Sequence, residues 1–184
     1  MTELFLERTF DPGLSVDDVC AMAVKNGWCY TMYGVVWRGS FLATNGGRMV
    51  CWFKAPDAES ARQALRRAGA DMTRLWIGTA HEGPKPVAPN VLVERSFTEP
   101  TSLDAIQAIE DAGVSCLETH RVEFARTFFS TDRTRMLCLY RAPDAEAVRV
   151  AQREAGMPLE TAWSFDRIGL ETLAARGIDP TTRR

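Results

Sequence analysis

Histidine is scarce: His81 and His120 are the only two in 184 residues. A site for a divalent metal ion must therefore draw on carboxylates or thiolates as well as imidazole. An excess of charge is also missing, with 22 basic against 24 acidic residues and a net charge of −2. No electrostatic footprint for nucleic acid or for an anionic membrane follows from such a balance. Long apolar runs are absent, and the opening MTELFLERTF carries acidic residues, which excludes a signal peptide or spanning helix there and leads us to expect a cytoplasmic protein. There is no Gly-rich phosphate loop, GxSxG elbow or HExxH helix. Asn45-Gly46-Gly47 lies between two strand-like stretches, so it reads as a hairpin and not as a nucleotide cradle. The five cysteines are odd in number and lack CxxC spacing, a pattern of buried, reduced thiols.

What the sequence does contain is a repeat. RMVCWFKAPDAE at 48–59 returns as RMLCLYRAPDAE at 135–146, at an offset of 87. The same offset pairs ERTF at 7–10 with ERSF at 94–97, Ala68-Gly69 with Ala155-Gly156, and Trp76 with Trp163. Over residues 4–77, 24 of 74 positions are identical to their partners. The chain is a tandem duplication of a domain of about 80 residues.

Each copy reads as βαββαβ. Residues 4–10 alternate as a strand, and Ser15 with Asp18 makes a capping-box start for a helix running to about Asn26-Gly27. Strands follow at 35–43 and 48–54, and Ala55-Pro56-Asp57 opens a second helix that stops at Gly69. A fourth strand covers 73–79. The second copy repeats the plan, with a strand at 91–97, a helix from Ser102 to about Ala112, strands at 121–130 and 135–141, a helix at 144–155 and a strand at 160–167. We therefore expect repeat 1 at 1–80, a Pro-rich linker at 81–90, repeat 2 at 91–168 and a C-terminal tail at 169–184, with a short helix at 170–176 and fraying from Asp179. The order is the split βαβ or ferredoxin-like plan.

Both faces of the third strand in each copy are apolar, so the face without helices also wants cover. The expected architecture is α+β: two tandem ferredoxin-like units packed sheet to sheet as an intrachain α+β barrel, acting as a monomeric pseudo-dimer or as a homodimer. In LFLERTF the set Leu4, Leu6 and Phe10 faces the helices, which sends Glu7, and by the same alternation Glu94, toward the space between the sheets. With His120 at the entrance to the second strand, the candidate metal set is Glu94, His120 and Cys138, with Cys51 in reserve. The candidate ligand-binding set is Glu7, Trp37 and Tyr140, among an aromatic lining that includes Phe41, Trp52, Phe124 and Phe128. As a catalytic pair, Glu94 with His120 offers a carboxylate held among apolar groups and an imidazole. The plainer alternative is that Glu7 and Glu94 pair with arginines on adjacent strands, the cysteines pack as small hydrophobes and His120 caps a loop.

The motifs ER[ST]F, RM[VL]C[WL][FY] followed by APDAE, and AG before the last strand resemble the bacterial family called domain of unknown function 4242, over residues 4–79 and 91–167. Its structurally known type is a small nickel-binding protein, and the resemblance implies dimeric α+β-barrel relatives with the two protomers fused here. Many members carry a histidine before the Gly that ends the second helix, where this chain reads RQALRRAG at 62–69 and VAQREAG at 150–156. The expected function is binding of a small ligand or of a divalent metal of the nickel type, with no other cofactor. The alternative is a cofactor-independent enzyme, of lyase or monooxygenase type, using the pocket between the sheets.

Overall fold

The computed structural model describes residues 1–179; residues 180–184, where the expected fraying mostly falls, lie outside the described part. Along the chain run β1 (Thr2–Thr9), α1 (Val16–Met32), β2 (Val36–Ala43), β3 (Arg48–Ala55), α2 (Ala58–Arg67) and β4 (Arg74–Glu82). They are followed by β5 (Val91–Ser96), α3 (Leu103–Ala112), α4 (Val114–Thr119), β6 (Glu123–Ser130), β7 (Arg135–Arg141), α5 (Ala145–Glu154), β8 (Thr161–Ile168) and α6 (Leu170–Ala175). The class is α+β, and the βαββαβ order occurs twice, with the first helix of the second copy broken in two. The chain divides into two compact units: Met1–Ile77 with the described residues from Asp166 onward, and Gly78–Phe165. The division falls inside β4 and β8, each of which starts in one unit and ends in the other.

In the first unit β3 lies between β1 and β2, antiparallel to both. Leu4, Leu6, Met49, Cys51 and Phe53 share a core with Val19, Cys20, Ala61, Ala64 and Leu65 of the two helices. The box at Ser15 forms: Ser15 Oγ accepts from Asp18 N at 3.1 Å and Asp18 Oδ2 accepts from Ser15 N at 2.8 Å. Such caps contribute about 1 kcal/mol. α1 runs beyond Gly27, its expected end, because Cys29 and Tyr30 extend its buried face. It stops before Gly34, whose φ of +64° suits glycine. Leu173, in the stretch expected to be a tail, is fully buried in this core together with Ile168.

The second unit has the strand order β8-β5-β7-β6-β4. Val91, Val93, Met136, Cys138 and Tyr140 pack with Ile106, Leu117, Val148, Ala151 and Met157. Where α1 is continuous, its counterpart breaks at Gly113 into α3 and α4. A Cβ on Gly113 would fall 2.3 Å from the Cβ of Ala155. Only glycine lets the helix pair approach α5 so closely. At the offset of 87, Gly113 corresponds to Asn26 and Ala155 to Ala68.

Candidate functional site

Two carboxylates occupy equivalent places on the sheet faces turned away from the helices. Glu7 is 8% exposed; its Oε1 accepts from Trp76 Nε1 at 2.7 Å, and Arg74 Nη1 lies 3.9 Å from Oε2. Glu94 is 3% exposed; its Oε1 accepts from Trp163 Nε1 at 2.8 Å and its Oε2 from Arg135 Nη2 at 2.7 Å. Arg135 Nη1 also donates to Glu160 Oε2 at 2.6 Å and to Ser96 Oγ at 2.7 Å. Each Glu-Trp bond ties the first strand of a repeat to its last. These are charge-assisted contacts that fix strands.

The structure does not bring Glu94, His120 and Cys138 together. Val93 pairs with Cys138 and Glu94 with Leu137, so strand alternation sends Glu94 and Cys138 to opposite faces. Cys138 Sγ lies 2.9 Å from Thr127 Oγ1 on the helix side, and burial pushes its thiol up. His120 ends α4 and sets Nε2 3.0 Å from Glu154 Oε2 at the end of α5, away from both partners expected for it. His81 Nε2 lies 2.7 Å from Thr79 Oγ1. Among the described residues no group of three or more His, Cys, Asp or Glu side chains is placed to hold a metal ion.

Trp37 and Tyr140 likewise do not join Glu7. Bulges shift the register between Trp37 and Gly39 and between Phe124 and Arg126, and each extra residue resets the alternation of its strand. Trp37 and Ser40, three apart, therefore share the helix-side face, with Trp37 Nε1 donating to Ser40 Oγ at 3.1 Å and Ser40 Oγ to Cys51 Sγ at 3.0 Å. Tyr140 also lies in the helix-side core, with Phe124 against its ring.

That side carries the polar chemistry missed in the sequence. In the second unit Arg95 is 0% exposed, and its Nη2 donates to Tyr140 Oη at 3.1 Å and to Gln152 Oε1 at 2.6 Å. Tyr140 Oη in turn donates to Glu110 Oε1 at 3.1 Å. Burial pushes the Glu110 carboxyl above its ordinary value. Arg95 Nε and Nη1 and Gln152 Nε2 have no hydrogen-bond partner. A buried cation is thus enclosed with an internal acid one hydroxyl away.

At the offset of 87 the first unit has Arg8 for Arg95, but Ala23 for Glu110, Phe53 for Tyr140, Leu65 for Gln152 and Ala70 for Met157. All four changes remove a polar group or bulk. A cavity of about 150 Å³ results, lined by Arg8, Lys25, Asn26, Tyr30, Cys51 and Ala70 among others. A second one of about 30 Å³ shares Arg8, Asn26, Tyr30 and Cys51 with it. Among the described residues Arg8 has a ring contact with Phe10, 4.9 Å from its centroid, and no carboxylate ion pair. Burial pushes the Tyr30 phenol and the Cys51 thiol up, so both stay protonated. The sequence carries this signal in the differences between the repeats at 23, 26 and 70.

Comparison with known proteins bears on the whole chain. Residues 5–77 and again residues 92–164 match the family described as nickel responsive protein SCO4226-like. The chain belongs to this family. SCO4226 from Streptomyces coelicolor A3(2) is 18% identical, with a TM-score of 0.36 over 40% of this chain and 90% of that one. A putative chlorite dismutase aligns with a TM-score of 0.52 at 11% identity, over 95% of this chain and 97% of its own. A mutant chlorite dismutase from Candidatus Nitrospira defluvii gives 0.53 at 11% identity, over 97% and 95%. At such identity the likeness is one of fold. No curated protein matches the chain.

Proposed function

We propose that this SCO4226-like protein binds a small molecule in the cavity of its first unit, beneath α1. The observation that carries the reading is the contrast within one chain: where the second repeat packs Glu110, Tyr140, Gln152 and Met157, the first has Ala23, Phe53, Leu65 and Ala70, which line its two cavities. Asn26, in place of Gly113, and Ala68, in place of Ala155, both line the cavity. A cavity of about 150 Å³ has room for a group the size of one benzene ring. The label domain of unknown function 4242 belongs to the same reading, as does a cytoplasmic protein; no helix among the described residues is long and apolar enough to cross a membrane.

Divalent-metal binding is the second reading, and the family description is what supports it. The donors named from the sequence do not fit a nickel ion as they stand: Glu94 is engaged by Trp163 and Arg135, His120 by Glu154, and Cys138 lies on the other face. The Glu94-His120 pair of the enzyme alternative is separated for the same reason.

The test is titration with the one-ring probes benzoate and benzamide, followed by protein NMR, in wild type and in Ala70→Met, which restores the bulk of Met157. Binding of a probe to wild type and its loss in Ala70→Met is the expected result. Failure of both probes to bind, or binding unchanged by Ala70→Met, overturns the pocket. Calorimetric titration with nickel chloride, in wild type and His120→Ala, tests the metal reading separately.

A further inference from the structure

We propose that the cavity of the first unit takes the carboxylate of a small organic acid, with Arg8 and Lys25 supplying charge and Tyr30 and Asn26 supplying hydrogen bonds. The proposal rests on the pocket reading above and specifies its ligand class. Its basis is that the second unit already contains such a complex in covalent form. There Glu110, on α3, projects a carboxylate to the Tyr140 hydroxyl, which accepts from Arg95. In the first unit the arginine is kept as Arg8, while the acid has become Ala23. The cation remains, and the acid equivalent to Glu110 is gone.

The polar lining is one-sided. Arg8 and Lys25 are cations, the Asn26 amide and the Tyr30 hydroxyl can each donate, and no carboxylate is among the lining residues. Tyr30 brings its phenol from α1, where the second unit brings that of Tyr140 from β7. Asp71 follows Ala70; its carboxylate accepts from Thr73 Oγ1 at 2.6 Å and N at 3.0 Å, which hold it below its ordinary value, with the Arg8 charge as a smaller cause. The remaining wall is apolar, with Leu6, Met22, Phe53 and Leu65. A ligand matched to this surface is amphipathic, with an anionic end toward Arg8 and a body of about one ring or a short alkyl chain against Phe53 and Leu65. Charge-assisted bonds from arginine favour a carboxylate over a neutral isostere.

Benzoate and benzamide differ in that charge while sharing one shape. In the full-length protein benzoate is expected to bind about tenfold or more tightly than benzamide. Arg8→Gln is expected to bring benzoate down to the benzamide level, and Lys25→Gln to weaken benzoate alone. Because Arg8 has no ion pair to lose, Arg8→Gln should fold, as its thermal transition will show; Lys25, on the exposed side of α1, supplies an independent variant. Equal binding of the two probes, or a benzoate preference that survives both variants, overturns the carboxylate assignment and leaves the pocket standing. Inorganic phosphate displacing benzoate at a lower concentration than benzoate itself binds also overturns it. Binding of neither probe overturns the pocket and this proposal together.

Discussion

Gly113 lies so close to Ala155 that a Cβ on it would fall 2.3 Å from the Ala155 Cβ and 3.0 Å from its Cα. The equivalent pair in the first unit, Asn26 and Ala68, lines the cavity instead of closing it.

Gly113→Ala is expected to destabilise the second unit by about 1–3 kcal/mol, the range for overpacking a core. The Cβ of Ala155 at 2.3 Å and its Cα at 3.0 Å are the obstacle, and neither can yield by a change of rotamer. Urea unfolding of the variant should show an earlier midpoint. A midpoint equal to that of wild type would mean that the helix pair shifts freely and that Gly113 does not set its spacing.

Tyr140→Phe, which gives β7 the residue found at Phe53, is expected to destabilise by about 1–3 kcal/mol. The hydroxyl accepts from Arg95 and donates to Glu110, so its loss leaves polar groups buried without partners. Gln152→Leu removes the other acceptor of the same guanidinium. The two losses share a partner, and the double variant should depart from additivity in a denaturation cycle.

Glu94→Gln should lower stability by about 2 kcal/mol, because Arg135 and Trp163 both bond to its carboxylate. Trp163 should report the change in its fluorescence. Benzoate binding should be unaltered, since Glu94 is not among the residues lining the cavity. A loss of binding with full stability would return Glu94 to the site from which its bonds remove it.

The Glu110 carboxyl is raised above its ordinary value of 4.5, with burial as the largest cause. A raised acid holds its proton more tightly in the folded state, so its contribution to stability is complete below 4.5 and declines as pH rises through the folded value. Glu110→Gln keeps an acceptor for Tyr140 and removes this titration. The variant should gain on wild type in urea midpoint as pH goes from about 4 to about 8. A difference that does not move with pH would show that the group titrates alike in both states.

Much of the fold was legible because it is written in local chemistry. The offset of 87, the capping box at Ser15 and the stops at Gly69 and Gly156, both at φ +70°, are properties of short stretches and appear where expected. The third strand lies beside the first, and alternation in β1 and β5 sends Glu7 and Glu94 away from the helices. The same alternation misplaced Trp37, because a bulge between Trp37 and Gly39 reset it in β2, whereas Tyr140 follows the unbroken alternation of β7 to the face of Cys138.

By itself the sequence determined that there are two like units, their α+β class and the order of their strands, since periodicity and turn chemistry act over a few residues. Which polar groups meet inside each repeat was decided only in three dimensions. Glu110, Tyr140, Gln152 and Arg95 are far apart in the chain, and their meeting depends on how closely one helix can lie on another. In the second unit Gly113 leaves room for the close approach to Ala155, through a contact whose partner no local pattern identifies.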